Sequence, residues 1–338
     1  MKKIKSSTKF IILLATSIVG LLIMFFLSLY FGAEKNINFV DIINSLFRFN
    51  DEIFNEVIVR NIRLPRFIAD ILVGASLAIA GALMQGTTKN PMADSGIMGI
   101  SSGSVFGVVI IMTFFPNISR LGRIGISCLG AAIVTFLIYG IAMMSKRGMT
   151  PDRMVLSGMA ISTLFSSVTT ALVLKQGTSS EMFKYMSGSI ANTIWLYIEL
   201  ALPFFLVCFI LGIIISRNLT ILSLGDETST GLGVNGKVIK LLSTIIVLVL
   251  SAIAVVIIGP VSYVGLMIPH IVRYIVGSDY RFVIPSCGLL GALFVTFVDF
   301  LARNIMPEIE LPIGLIITLI GVPFFIFVSR KKTAEDAY

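Results

Sequence analysis

The sequence predicts an all-α polytopic membrane protein with about ten transmembrane helices. The chain has 338 residues, of which 56% are hydrophobic and only 13% are charged, and its mean hydropathy is +0.98. Several apolar runs reach the length of roughly 20 residues that a helix needs to cross a hydrocarbon core of about 30 Å. The sequence has no apolar–polar alternation of period two, which argues against a transmembrane β-barrel.

Composition also excludes several kinds of function. The formal net charge of +8 fits the excess of Lys and Arg in the cytoplasmic loops of membrane proteins, so we expect no nucleic-acid partner. The three cysteines, Cys128, Cys208 and Cys287, lie in or near apolar segments without a CxxC spacing, and we interpret them as packing residues. His270 is the single histidine, so we expect no metal site, since such sites need several ligands.

The first predicted span covers about residues 10–31 and follows the basic start Met1–Lys5. It exceeds the apolar region of a signal peptide, which has about 7–15 residues, so we interpret it as a transmembrane helix with a cytoplasmic N-terminus. The other spans complete a single transmembrane domain over residues 1–338. We place them at about 63–85, 97–115, 124–144, 154–174, 192–215, 241–258, 264–276, 283–302 and 313–328.

Two weakly related segments predict an internal repeat. Ten spans put both termini in the cytoplasm, and most of the 26 Lys and Arg residues then lie on that side. In this topology Pro91–Met98 is cytoplasmic, and the related segment Pro260–Met267 is external. This indicates an inverted repeat of spans two to five (63–174) and spans seven to ten (241–328), as many transporters have. The alternative is that membrane loops simply favour Pro and Gly.

One polar segment, Arg217–Lys240, interrupts the apolar sequence. Its middle, Leu224–Gly233, predicts a short helix outside the membrane, with Asp226 and Glu227 in the first turn, where the helix dipole favours negative charge. Glycines at 231 and 233 are placed to end that helix. A polar helix between two spans predicts a contact with another molecule.

Small residues are dense in Gly74–Ala82 and Gly99–Ser104. Side chains of this size let membrane helices approach closely, so tight helix packing is one interpretation. The other is that they leave room for a bulky solute along a shared axis. Both interpretations stay open at this point.

Acidic residues within or near the spans would suit an ion-coupled carrier, because a buried charge in lipid is costly. The candidates are Asp70, Glu199 and Asp299. However, Asp70 lies four residues after Arg66, and Asp299 lies four residues before Arg303, so each predicts an ion pair along its own helix. This weakens the case for a central ion-binding site.

Four arginines, Arg60, Arg63, Arg66 and Arg303, fall on the predicted external side, where the charge rule does not place them. They are explained either by docking of an acidic partner or by anchoring to lipid headgroups. No enzymatic constellation is present in the sequence, and no Walker-type Gly-Lys-Ser/Thr loop for ATP binding is found. Any ATP that the protein uses is therefore expected on another chain.

A set of ordered motifs covers roughly Arg60 to Arg330. They are Arg63–Arg66 (RLPR), Gly74–Gly81 continuing to Gln85, Asn90–Ala93, Gly99–Gly103, Leu224–Gly233, Gly259–His270 with Arg273, Glu310–Gly314 and Gly321–Phe325. In this order and spacing the chain resembles the permeases of the FecCD or BtuC-like family, which belong to ABC importers of iron chelates and cobalamin. Departures at Met92, Ser95, Ser104 and Tyr263 remove no charged or glycine position.

The resemblance implies the fold of a type II ABC importer and the following residue roles. Contact with the ATPase falls to Leu224, Gly225, Asp226, Glu227, Gly231, Leu232 and Gly233. Docking of a substrate-binding protein falls to Arg63, Arg66 and Arg303. The translocation path or its packing involves Gly74, Gly81, Gln85, Asn90, Pro91, Gly99 and Gly103.

The resemblance also implies the partners: an ABC ATPase dimer that binds ATP and Mg²⁺, a substrate-binding protein or lipoprotein, and a second permease that is identical or a paralogue. The expected function is ATP-driven import of a ferric siderophore across the cytoplasmic membrane of a bacterium, by alternating access. Heme and cobalamin are alternatives within the same family. An ion-coupled secondary transporter is the alternative of a different class, and a membrane scaffold is a distant third.

Overall fold

In the computed structural model of the chain, helices dominate the architecture. The described residues are 6–32, 34, 36–94, 99–115, 118–143, 151–176, 186–190, 193–306 and 310–335, and this part contains no β-strand. The first helices are α1 (Ser6–Tyr30), α2 (Phe39–Phe47), α3 (Phe54–Ile58), α4 (Leu64–Thr88), α5 (Ile100–Phe114), α6 (Arg120–Met143) and α7 (Pro151–Gln176). They are followed by α8 (Trp195–Ser223), α9 (Asp226–Gly231), α10 (Gly236–Ile258), α11 (Val264–Val276), α12 (Tyr280–Ile305) and α13 (Ile313–Glu335).

The apolar helical segments correspond in order to the predicted spans. Among the described residues, six are long and apolar enough to cross a membrane: α1, Phe54–Thr88, most of α7 (Leu156–Lys175), α8, α10 and α12. Phe54–Thr88 is continuous because a π-helical turn, Val59–Arg63, joins α3 to α4. Four shorter apolar segments are α5, Gly125–Ile138 of α6, α11 and Ile313–Phe327 of α13. The predicted all-α membrane fold is confirmed.

The boundaries of the predicted spans agree best where the chain has strong local signals. The structure begins and ends α11 at Val264 and Val276, as the sequence predicts. By contrast, α8 continues to Ser223 and α10 begins at Gly236, so the helices on both sides extend into the polar segment 217–240. The helix α8 continues because Leu219 and Leu222 are fully buried in the main core, and burial of apolar side chains outweighs the polarity of the neighbouring residues.

The central element of the bundle is α4. In its most apolar window 89% of the residues are buried, against 17% for α1 and 11% for α7. Two glycines allow close contact with neighbouring helices: a Cβ atom on Gly74 would lie 2.2 Å from the carbonyl oxygen of Gly291, and one on Gly81 would lie 1.9 Å from that of Gly265. Because backbone atoms cannot yield at such distances, only glycine fits at these crossings.

The expected repeat has a counterpart in the helix order. Each of the long helices α4 and α10 is followed by a loop and a short helix, α5 or α11. Both short helices begin after a residue with left-handed backbone, Gly99 with φ of 84° and Tyr263 with φ of 73°. The related segments Pro91–Met98 and Pro260–Met267 do not occupy equivalent positions relative to these short helices, because α5 starts farther after Pro91 than α11 does after Pro260. Residues 95–98 lie outside the described residues.

Candidate functional site

The short helix α9 lies between α8 and α10 in the chain, near the end of α4. Gly225 precedes it with φ of 136°, a backbone conformation that favours glycine, and Gly233 follows it with φ of 74°. Asp226 and Glu227 occupy the first turn. Within this helix, the hydroxyl of Ser229 donates to the carbonyl oxygen of Asp226 at 2.9 Å. The short helix that the sequence predicted over 224–233 is therefore confirmed.

The carboxylate of Asp226 fastens α9 to two long helices. Its Oδ1 lies 3.1 Å from Nζ of Lys89, just past the end of α4, and 3.3 Å from Nζ of Lys240 on α10. The hydrogen bond from Lys89, and then that from Lys240, hold the pKa of Asp226 below its ordinary value. Sequence reasoning missed both lysines, because one is far from Asp226 in the chain and the other is in the next helix.

The remaining predicted residues of this segment are accessible. Leu224 and Leu232, which flank α9, are 67% and 61% exposed, and Glu227 is also exposed. A Cβ atom on Gly231 or Gly233 would meet nothing within 4 Å. Two large apolar side chains exposed beside a charged helix form a small surface of mixed character, which is typical of a protein contact.

A buried charge cluster lies at the opposite end of α4. Arg66 donates through Nε to both carboxylate oxygens of Asp299 at 3.1 Å and through Nη1 to Oε1 of Glu310 at 2.9 Å. Nε of Arg303 lies 3.0 Å from Oδ2 of Asp299, which confirms the predicted pair along one helix. The cluster thus ties α4 and α12 to the residue that precedes α13.

The predicted pair between Asp70 and Arg66 was wrong. Both carboxyl oxygens of Asp70 are buried without a hydrogen-bond donor, and this carboxyl lies beside that of Asp299. The guanidinium of Arg66 instead binds the two oxygens of Asp299, and such bidentate pairs are the strong form of arginine–carboxylate contact. The third acidic candidate, Glu199, is exposed on α8.

The arginine Arg63 makes a separate set of contacts. Its Nη1 donates to the carbonyl oxygens of Leu29 at 2.6 Å and Tyr30 at 2.8 Å, and its Nη2 donates to that of Glu34 at 2.6 Å. Like Arg66 and Arg303, it is buried. The three predicted docking arginines therefore lie inside the protein and are engaged there. Their docking role stays a prediction.

The predicted path residues lie mostly in helix contacts. Gly103 on α5 abuts the carbonyl oxygen of Gly130 on α6, as Gly74 and Gly81 abut their own partners. Nε2 of Gln85 donates to the carbonyl oxygen of Gly265 at 3.0 Å, and its Oε1 accepts from Nη2 of Arg273.

Outside these crossings, the side chain of Asn90, next to Pro91, accepts from the amide of Met92 at 2.9 Å. These contacts favour the packing interpretation at the positions concerned. Among the described residues, no group of three or more His, Cys, Asp or Glu side chains is placed to hold a metal ion.

Sequence reasoning missed a hydroxyl-rich face on α7. It borders an open cleft of about 600 Å³ lined by Ser162, Thr163, Ser166, Ser167, Thr170, Ala171 and Leu174. Three of these hydroxyls donate to the carbonyl oxygen four residues earlier, for example Thr170 to Ser166 at 2.9 Å. Their oxygen lone pairs stay available as acceptors. The signal was present in the sequence, since Ser and Thr cluster at helical spacing in this span.

Comparisons with known proteins show which family this chain resembles. Residues 20–331 match the model of the FecCD transport family. The iron(3+)-hydroxamate import system permease protein FhuB of Bacillus subtilis is 38% identical over 91% of this chain and 80% of that protein. The iron-uptake system permease protein FeuB of Bacillus subtilis is 36% identical over 96% of this chain and 97% of that protein.

Solved structures give the same result for the fold. An inward-facing conformation of a putative metal-chelate type ABC transporter superposes with a TM-score of 0.80 at 28% identity, covering 94% of this chain and 98% of that one. PsaBC from Streptococcus pneumoniae superposes with a TM-score of 0.61 over 86% of this chain and 95% of that one, and at 16% identity it supports the fold alone.

Proposed function

This chain belongs to the FecCD transport family, and we propose that it is the membrane permease subunit of an ABC importer for iron(III) chelates, most specifically ferric siderophores. The observation that carries the proposal is the similarity over nearly the whole chain to permeases whose names specify iron(3+)-hydroxamate import and iron uptake. A permease of this family is a transport protein and not itself an enzyme. ATP and Mg²⁺ accordingly belong to a separate ATPase dimer.

The segment 224–233 would meet that ATPase. Its exposed leucines, Leu224 and Leu232, supply apolar contact area, and the ion pairs of Asp226 with Lys89 and Lys240 fix α9 to α4 and α10. A displacement of α9 would therefore be passed to both helices. Because α4 is the central helix, this connection offers a route by which ATP binding and hydrolysis switch the side on which the permease is open.

The orientation follows from this contact. With α9 in the cytoplasm, Lys89 and Lys240 lie on the cytoplasmic side, as the charge rule expects. Ten spans then put both termini on that side as well. The cluster of Arg66, Asp299 and Arg303 then lies toward the outside of a bacterial cytoplasmic membrane. The protein crosses this membrane several times and is in contact with lipid.

A substrate-binding protein or lipoprotein would dock on the outer side. The arginine Arg66 is buried, but its partner Glu310 is 43% exposed at the side chain. An acidic side chain of a binding protein could replace Glu310 and take over its hydrogen bond, since both are carboxylates. To bind such a protein, Arg63 and Arg303 would likewise have to give up contacts within this chain and form hydrogen bonds to the binding protein instead.

The path would lie between two permeases, identical or paralogous. The hydroxyl face of α7 supports this arrangement, because only 11% of the helix window is buried within this chain. Ser and Thr oxygens suit a polar solute better than lipid tails. With Ser162, Ser166 and Thr170 on one face, α7 is the described helix best suited to line a shared channel.

Two alternative solutes and one alternative mechanism stay open. The cobalamin import system permease protein BtuC of Halobacterium salinarum is 38% identical over 82% of this chain, so cobalamin is a second candidate solute, and heme a third. The neighbouring carboxyls of Asp70 and Asp299 are the feature that would favour an ion-coupled carrier instead.

A single uptake experiment separates these functions. A strain lacking this gene would be supplied with the chain and tested for uptake of a radiolabelled ferric hydroxamate, ferric citrate, cobalamin and heme. We expect rescue of uptake for an iron chelate, and loss of uptake when the Walker-motif lysine of the partner ATPase is replaced. Uptake that persists without ATP hydrolysis and collapses with the proton gradient would identify an ion-coupled carrier.

A further inference from the structure

The helix α2 is built with its apolar face outward. All nine of its residues are described, and the exposed ones are the four apolar residues Phe39, Val40, Ile43 and Phe47. Their exposed fractions are 55%, 63%, 44% and 81%. Val40, Ile43 and Phe47 follow one another at spacings of three and four residues, and Phe39 lies four residues before Ile43, so the four form one stripe along the helix. A helix facing water would present polar side chains at such positions.

The polar groups of α2 are instead hydrogen-bonded to other parts of this chain. The carboxylate of Asp41 accepts from the amide of Asn38 and from Nδ2 of Asn55, both at 2.9 Å. The carbonyl oxygen of Ser45 accepts from Nη1 of Arg60 at 3.3 Å. These bonds fix the rotation of α2 about its own axis, so the outward apolar stripe is a built feature.

The inner side of α2 completes a small separate core. Ile42 packs with Leu29 from the end of α1, Ile37 from the connecting segment and Val59 from the π-helical turn. This cluster is distinct from the main core of the bundle. The end of α1, the helix α2 and the π-helical turn therefore form a small unit beside α4, which we call the satellite unit. The apolar stripe of α2 is the outer surface of this unit.

The stripe continues a surface that already faces lipid. The ring of Phe39 contacts that of Phe26 on α1, with centroids 6.0 Å apart, and Phe26 is itself exposed. Further along α1, Val19, Leu22 and Ile23 are exposed as well. These exposed residues of α1 are all apolar, unlike the hydroxyl face of α7, so the outer face of this membrane-crossing helix suits hydrocarbon. The apolar surface thus runs without a break from α1 onto α2.

We propose that α2 is an interfacial helix that lies along the membrane surface and inserts Phe39, Val40, Ile43 and Phe47 into the adjacent leaflet. Its occupant is lipid rather than a protein, because the stripe continues the lipid-facing side of α1. The helix has the large apolar face by which interfacial helices insert into the boundary between headgroups and acyl chains. It seats the satellite unit at a fixed depth and with it Arg63, whose guanidinium binds the end of α1.

The test uses tryptophan fluorescence, since the chain contains one tryptophan. Trp195 donates from Nε1 to the carbonyl oxygen of Arg60 at 2.9 Å, and Trp195→Phe would give a silent background. In that background Phe47→Trp places the probe on the stripe, and Glu52→Trp places a matched probe on the exposed loop that follows α2. Both full-length variants would be reconstituted in phosphatidylcholine–phosphatidylglycerol vesicles with spin-labelled lipids.

We expect the probe at position 47 to be quenched strongly by a label near the headgroup and weakly by one near the chain end. Its emission would be blue-shifted relative to the probe at position 52, which acrylamide would quench instead. Quenching of position 47 by acrylamide, as at position 52, would overturn the proposal. Shielding from both quenchers would overturn it in favour of a protein on the stripe. Should Phe47→Trp fold poorly, Val40→Trp reports on the same stripe with the same expected pattern.

Discussion

The guanidinium of Arg66 on α4 binds both carboxylate oxygens of Asp299 on α12, with Nη2 2.8 Å from Oδ1. The two residues are far apart in the sequence, and Asp299 has no exposed surface. Arg303, on the same helix as Asp299, and Glu310, in the segment before α13, complete the cluster. The carboxylate of Asp299 therefore pairs with two arginines and joins the central helix α4 to α12.

Replacing Asp299 should destabilise the permease strongly. Asp299→Asn leaves Arg66 and Arg303 buried without their shared counter-charge, and removing one partner of a buried ion pair costs about 3–5 kcal/mol. We expect a clear fall in the Tm of the purified protein in detergent. The matched control is Asp70→Asn, because the Asp70 oxygens accept no hydrogen bond from described residues. Equal losses in the two variants would contradict the central role of Asp299.

Adding one methyl group at Gly81 should prevent correct packing of α4 against α11. The new Cβ atom would lie 1.9 Å from the carbonyl oxygen of Gly265 and 2.4 Å from its Cα, so the two helices must separate. Overpacking of this kind costs about 1–3 kcal/mol or more. Gly81→Ala should lower Tm or abolish folding, as measured by thermal unfolding and gel filtration.

The control for Gly81 is Gly231→Ala at the end of α9. A Cβ atom there meets nothing within 4 Å, and Ala is a better helix former than Gly by about 1 kcal/mol. Its Tm should match or slightly exceed that of the wild type. Tolerance of Ala at both glycines would show that the α4–α11 crossing is looser than the distances indicate.

Neutralising Asp226 should uncouple ATP hydrolysis from transport with little loss of stability. The pairs with Lys89 and Lys240 are largely exposed, and such pairs contribute at most about 1 kcal/mol each. In proteoliposomes with the ATPase and binding protein, Asp226→Asn should transport less solute per ATP hydrolysed. Glu199→Gln is the control, since Glu199 is an exposed acid on α8 that lies outside the segment 224–233. An unchanged ratio in Asp226→Asn would mean that α9 acts without these ion pairs.

The carboxylate of Asp279 should contribute stability that depends on pH. It caps α12 by accepting from the amide of Arg281 at 3.0 Å, and the hydrogen bond from the Arg281 side chain is the main reason that its pKa is lowered from 3.8. A lowered pKa in the folded state means that the stabilisation is present above pH 3.8 and is lost as the pH falls through the folded-state value.

We therefore expect Asp279→Ala to lower Tm at neutral pH, since loss of such a cap costs about 1 kcal/mol. The difference in Tm from the wild type should shrink as the pH is lowered below 3.8. The reason is that Asp279 of the wild type is then protonated and uncharged, like Ala in the variant. A difference in Tm that stays constant with pH would exclude the Asp279 carboxylate as the source of the stabilisation.

A bulky apolar residue on the hydroxyl face of α7 should obstruct transport. Ser166→Phe would fill part of the cleft that Ser162 and Thr170 also line. Uptake should fall severalfold while the protein still assembles with its ATPase, as measured by uptake and by co-purification. The control is Leu164→Phe, a similar substitution at an exposed apolar position of the same helix. Equal uptake in both variants would remove the hydroxyl face from the path.

The sequence by itself determined the features that depend on local composition. Hydropathy over a window of residues predicted the order of the spans. The limits of α11 were also predicted correctly, and residues with positive φ, Tyr263 and Gly277, lie at its two ends. Acidic residues followed by glycines likewise predicted α9. These signals are local because each helix forms its hydrogen bonds within its own segment.

Only the tertiary structure decided which charges and faces meet. Arg66 pairs with Asp299 and not with Asp70, and Asp226 forms an ion pair with Lys89. The apolar stripe of α2 is exposed on the outside of this chain. In each case the energy depends on distances between residues that are remote in the chain, and spacing along one helix carries no information about them. The bidentate geometry of Arg66 and the close packing at Gly81 are set by how the helices cross, so they follow from the assembled bundle alone.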